Sequence, residues 1–175
     1  MTSPSRDVIV AELPALLPRL WRYGLVLSRD PVAAEDLVQA TALRALERSS
    51  QFVAGTRLDR WLFSILRSIW FNHLRAQRVR LGHGVLEAED VLVSDGAAQI
   101  ETNILAGQVL RQAMALPEAQ RETLLLVYVE GFTYREAAHV LDVPIGTVMS
   151  RLAAVRLKLG GLEVSATKTE DRDVE

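Results

Sequence analysis

Arg60, Ser64, Arg67, Phe71, Arg75 and Arg78 follow one another at steps of four, three, four, four and three residues. On a helix such steps collect side chains along one face. Guanidinium groups in a row neutralise successive phosphates, and an aromatic ring among them can stack on an unpaired base. The pattern therefore points to single-stranded or opening DNA. A second set of such residues lies in Thr133 to Leu159, TYREAAHVLDVPIGTVMSRLAAVRLKL, which reads as two short helices joined by a tight turn. In a helix-turn-helix the N-terminal half of the second helix enters the major groove. There the hydroxyls of Thr147 and Ser150 and a bidentate Arg151 can reach base edges, while Arg156 and Lys158 are placed for phosphates. The plainer alternative is a helical hairpin whose polar residues are merely solvated.

The elements that must hold these residues carry their own signals. Thr133 with Glu136 has the spacing of a capping box, which starts a helix at Tyr134. That helix should stop near Leu141, with Asp142 and Val143 as the turn. Pro144 suits the first turn of the next helix because its missing N–H is not needed there. Val148, Leu152, Val155 and Leu159 then form the stripe that packs inward. Upstream, LPEAQRETLLLVYVEGF reads as a supporting helix with Pro117 in its first turn and Gly131 just past its end. In the N-terminal half a first helix is expected around Ala15 to Leu27, with Pro14 and Pro18 near its start. Ser28 to Asp30 form a turn, Asp30 an N-cap and Pro31 the first position of a second helix. The second helix should run to about Ser49 and bury Ala34, Leu37, Val38, Thr41 and Ala45. Glu35, Asp36 and Gln39 fall on its other faces. A third helix from Leu58 to about Arg80 buries Leu58, Trp61, Leu62, Ile65, Leu66 and Ile69, with the arginine stripe beside them.

The fold class that follows is all-α: two small helical domains joined by a flexible acidic linker, the C-terminal one a helix-turn-helix. The expected boundaries are 8–80, linker 81–105, 106–162 and a disordered tail 163–175. A chain of 175 residues with 49% hydrophobic residues has enough apolar material for two such cores. Its net charge of −2 is a poor guide to partners, because charge is segregated along the chain. Arg57 to Arg80 holds six arginines against one aspartate, whereas Leu81 to Glu101 holds five acidic residues and no lysine or arginine. With no cysteine there is no disulfide and no thiolate chemistry, so a cytoplasmic location is the default. No signal peptide or apolar run of membrane-spanning length is visible, and no membrane insertion is expected. The three histidines, His73, His83 and His139, lack metal-ligand spacing, and neither a phosphate-binding loop nor a nucleophile elbow is present. Neither catalysis nor a cofactor is expected.

The segment LPEAQRETLLLVYVEGFTYREAAHVLDVPIGTVMSRL resembles the C-terminal promoter-reading domain of bacterial RNA polymerase sigma factors, above all the small extracytoplasmic-function (ECF) group. GTVMSRL is the most specific run. Independently, AEDLVQATALRALE resembles that group's core-polymerase-binding helix, and RLDRWLFSILRSIWFNHLRAQRVR its promoter-melting helix. The resemblance covers roughly residues 10 to 80 and 106 to 160. It implies a sigma factor that binds core RNA polymerase, directs promoter-specific initiation and is held in check by an anti-sigma factor. By resemblance Asp36 and Gln39 match positions that contact the polymerase clamp. The loop Ser50 to Arg57 matches one that receives a base flipped out of the minus-ten element, with Phe52, Thr56 and Arg57 as candidate lining residues, although Phe52 could instead plug the core. The arginine stripe then engages the minus-ten element, and Thr147, Ser150 and Arg151 the minus-thirty-five element. Met149 and Ala154 stand where lysine and arginine are common in the family, so the isolated C-terminal domain should bind DNA weakly. Ser68 and Ala42 also depart from the usual pattern. The alternatives are a sigma-fold mimic that sequesters an anti-sigma factor, or a plain helix-turn-helix regulator. The intact GTVMSR run and the arginine stripe count against the mimic, and the core-binding resemblance against the regulator.

Overall fold

A computed structural model describes residues 4–80 and 110–159, and among these every regular element is helical. The chain divides into two compact units, Met1–Glu101 and Thr102–Glu175. The linker expected over 81–105 and the tail over 163–175 lie outside the described residues.

In the first unit α1 (Pro4–Ser28), α2 (Pro31–Glu47) and α3 (Leu58–Arg80) pack on one another. Helix α1 begins well before the expected Ala15, and Pro14 and Pro18 lie inside it. Each proline removes one backbone hydrogen bond and would ordinarily end a helix. Both stand on the exposed side, where water can take up the freed carbonyls. Ile9, wholly buried, anchors the early turns, and Ser5 Oγ donates to the Phe52 carbonyl at 2.9 Å. Burial of the N-terminal turns thus outweighs the local breaking signal.

Arg29, at φ 58°, closes α1, and Asp30 opens α2 as expected, its carboxylate accepting from Val32 N at 3.1 Å and Ala33 N at 3.4 Å. A Cβ on Gly24 would lie 3.2 Å from Ala34 Cα, so α1 and α2 approach through a glycine–alanine contact. Helix α2 ends at Glu47 and gives way to a 3₁₀ turn, Ser49–Gln51. Ala34, Leu37, Thr41 and Ala45 are buried, whereas Val38 is half-buried. The Thr41 hydroxyl is satisfied by the Leu37 carbonyl at 2.7 Å. Leu58, Leu62 and Leu66 of α3 complete the core, while Trp61, Ile65 and Ile69 are half-buried at its margin. Phe63, outside the expected stripe, is fully buried and stacks on Tyr23 with centroids 4.9 Å apart.

In the second unit residues 110–114 are helical and α4 (Glu118–Leu124) follows. It runs into a π-helical turn over Leu125–Val129, where Glu130 N donates to the Leu125 carbonyl at 2.9 Å, and Gly131 at φ 72° turns the chain away. Arg121 is 3% exposed, and its Nη1 donates to the Leu116 carbonyl at 3.0 Å, tying α4 to the preceding turn. Helix α5 (Tyr134–Leu141) starts at the expected capping box: Glu136 N donates to Thr133 Oγ1 at 3.2 Å and Thr133 N to Glu136 Oε2 at 2.9 Å. Asp142 takes the left-handed conformation, φ 51°, which aspartate tolerates better than most residues, and α6 (Ile145–Lys158) begins one residue after the expected Pro144. Val148, Leu152 and Val155 are buried against the rest of the unit.

Candidate nucleic-acid interface

The arginine stripe lies on α3, where Arg60, Ser64, Arg67 and Phe71 are half-buried and Arg75 and Arg78 exposed. Ser64 Oγ donates to the Arg60 carbonyl at 3.1 Å, so its hydroxyl serves the helix. The Arg67 guanidinium sits over the Phe71 ring at 4.5 Å from its centroid. This cation–π contact pre-orients the arginine and covers one face of the ring. Beyond the core, α3 continues to Arg80 with its last six residues exposed, so the cationic end projects into solvent.

The loop before α3 corrects one expectation. Phe52 is 3% exposed and packs on Trp61 at 5.3 Å, so it plugs the core and is withdrawn as a DNA-lining residue. An aromatic in a polar loop gains more from burial than from exposure. Thr56 is exposed, its hydroxyl donating to the Val53 carbonyl at 2.7 Å across a turn that Gly55 completes at φ 89°. Thr56 and Arg57 both border an open surface depression of about 480 Å³ whose other side is Glu12, Leu16 and Arg19 of α1.

Asp59, the one acid of the basic run, organises this loop. Arg57 reaches it twice, Nη2 to Oδ2 at 2.7 Å and Nε to Oδ1 at 3.1 Å, and Arg19 Nη1 binds Oδ2 at 3.1 Å. The Arg60 N–H donates to Oδ1 at 2.8 Å. Burial alone would push this carboxyl up, but Arg57, the Arg60 N–H and Arg19 together outweigh it and hold the carboxyl below its ordinary value of 3.8. Composition counted Asp59 only as a subtraction from positive charge. Arg57 two residues before it was the local signal of an ion pair; Arg19, forty residues away, left none.

On α2, Asp36 and Gln39 are exposed, flanked at helical steps by Val32 and Leu43, which are 67% and 60% exposed. On α6, Ser150, Arg156 and Lys158 are exposed and Thr147 and Arg151 half-buried. Ser150 Oγ donates to the Thr147 carbonyl at 3.0 Å, leaving its lone pairs available outward. Among the described residues no group of His, Cys, Asp or Glu is arranged to hold a metal ion, and no helix is long and apolar enough to cross a membrane. His83 lies outside them.

A helical unit with a cationic stripe and a second one ending in a helix-turn-helix define a two-part DNA-binding protein of the promoter-recognition class. The Sigma-70 region 2 family model matches residues 14–80, and the Sigma-70, region 4 model residues 106–159. The ECF RNA polymerase sigma factor EcfG of Rhodopseudomonas palustris is 35% identical over 167 residues, covering 91% of this chain and 87% of that protein. The ECF RNA polymerase sigma factor SigC of Mycobacterium tuberculosis is 34% identical over 139 residues, covering 78% of this chain and 73% of that protein. Among solved structures, the sigma factor RpoE in complex with the anti-sigma factor NepR from Bartonella quintana aligns with a TM-score of 0.71 at 30% identity, over 87% of this chain and 94% of that one. The chain belongs to the ECF family of RNA polymerase sigma factors. Its class of work is to join core RNA polymerase and direct initiation at promoter DNA.

Proposed function

We propose a division of that work among three helices. Helix α2 docks on core polymerase through Asp36 and Gln39. Helix α3 engages the minus-ten element through Arg60, Arg67, Phe71, Arg75 and Arg78, with a flipped base received in the depression beside Thr56 and Arg57. Helix α6 reads the minus-thirty-five element through Thr147, Ser150 and Arg151, and Arg156 and Lys158 hold phosphates. The chain contributes no catalytic group of its own and acts in the cytoplasm, where core polymerase works.

The observation that carries this reading is the projecting basic end of α3. Extracting a base costs a few kcal/mol of stacking and pairing, which phosphate neutralisation and a shaped cavity must offset. Arginines along one face support this role, and an open depression at the start of the same helix, bordered by Thr56 and by the Arg57–Asp59–Arg19 cluster, gives a base a place to be received. An anti-sigma factor is the proposed regulator. The solved relative held by NepR supports this, as do the exposed Val32 and Leu43 beside the proposed polymerase contact.

The test is thymine reactivity toward permanganate on a promoter bound by core polymerase and this chain. Unpaired thymines should appear at the minus-ten element with the wild-type protein. Arg67→Ala combined with Arg75→Ala should reduce that signal about tenfold or more while binding to core polymerase is retained, since each lost phosphate contact weakens binding. Full opening by the double variant would remove α3 from the melting step.

A further inference from the structure

Helix α6 has two chemically different flanks. Thr147, Arg151 and Lys158 line one of them at steps of four and seven. By the 3.6-residue turn, Ile145 and Met149 fall on the other, one turn apart and 42% and 47% exposed, and the exposed Arg156 follows on that side two turns beyond Met149. Between the flanks runs a ridge of Gly146, Ser150 and Ala153, all small and exposed, which ends in Leu157, 84% exposed beyond the leading turns. A Cβ added to Gly146 would meet nothing within 4 Å, so no contact inside the protein calls for glycine there. Gly146 leaves the helix start open to close approach by a partner.

Two large apolar side chains left in water on the leading turns of a groove-entering helix call for an apolar partner. In the major groove the apolar feature is the 5-methyl group of thymine. We propose that Met149, supported by Ile145, packs against a thymine methyl in the minus-thirty-five element and is a specificity-determining residue for an A·T pair. This rests on the reading of α6 as the promoter-reading helix. The groove is about 12 Å wide, enough to seat both flanks of one helix at once. The first flank then selects bases by hydrogen bonds and the leading turn of the second by methyl contact, with Arg156 farther along it at the phosphates. Met149 adds no charge, so its part in binding is independent of salt, unlike that of Lys158.

The test uses core polymerase reconstituted with the full chain and a promoter obtained by selection. Each thymine of the minus-thirty-five element, on either strand, is replaced singly by uracil, which lacks only the methyl group. Replacement at one position should weaken wild-type promoter binding about three- to tenfold, the worth of one buried methyl. Met149→Ala should bind the thymine and uracil promoters nearly equally, while keeping the base preference that Arg151 confers and an unchanged salt slope. An element insensitive to uracil at every position overturns the proposal, as does a thymine preference that survives in Met149→Ala. Failure of the underlying reading of α6 gives a different result: Arg151→Ala would then leave the sequence preference of the whole element unchanged.

Discussion

Arg151 and Lys158 stand on one flank of α6 two turns apart, yet their proposed tasks differ. Arg151 lies in the N-terminal half, half-buried and presenting a planar fork suited to a guanine edge, whereas Lys158 is an exposed point charge near the helix end. Arg151→Ala should cost about 1–3 kcal/mol of promoter binding and relax preference at one base pair; Lys158→Ala should weaken binding to all sequences alike and lower the salt slope by about 1. Binding titrations on a promoter set at several salt concentrations separate the two, and uniform losses from Arg151→Ala would refute its base-reading role. In the first unit the critical single residue is Asp59. Its carboxyl is depressed, so its contribution to stability is present above its unfolded value near 3.8 and is lost as pH falls through the lower folded value. Asp59→Asn should therefore destabilise the protein by about 1–3 kcal/mol at pH 7, by weakening charge-assisted hydrogen bonds. The gap from wild type should close as the pH falls below that window. Thermal unfolding of both proteins across pH checks this, and a gap that widens in acid would contradict it.

At the scale of elements, the sequence is most legible where side chains satisfy backbone groups locally. Asp30 with Pro31 and Thr133 with Glu136 each mark a helix start, and the structure places both caps with their hydrogen bonds made. Thr133→Ala should cost about 1 kcal/mol, measurable by chemical denaturation. Elements become illegible where tertiary burial overrides a local rule. Pro14 and Pro18 read as a boundary, yet Ile9 draws α1 through them. The π turn at Leu125–Val129 leaves no mark in the sequence, because in an unbroken apolar run an inserted residue changes no polar–apolar pattern that could be read. Phe52 shows the same limit at the site: its type suits a base-stacking role as well as a core, and only its packing on Trp61 decides. The α1–α2 contact was equally invisible, since the need for Gly24 comes from Ala34 on another helix. Gly24→Val should cost about 1–3 kcal/mol by overpacking and lower the unfolding midpoint accordingly, and an unchanged midpoint would show that α2 can retreat freely.

For the molecule as a whole, opposite charges are kept in different segments. A net charge of −2 gives no hint of a DNA partner, but the six arginines between Arg57 and Arg80 are concentrated on and beside one helix. The proposed division of work follows the order of the chain: α2 for docking on polymerase, α3 for melting and α6 for reading the promoter. The central claim is that this chain confers promoter choice on a polymerase that lacks it, which makes the most direct measurement a transcription reaction with purified core RNA polymerase and a promoter library, followed by sequencing of the transcript start sites. Initiation confined to a set of templates sharing a minus-thirty-five and a minus-ten element, and abolished when the chain is omitted, is the predicted result. Stable association with core polymerase and no initiation on any template would contradict it.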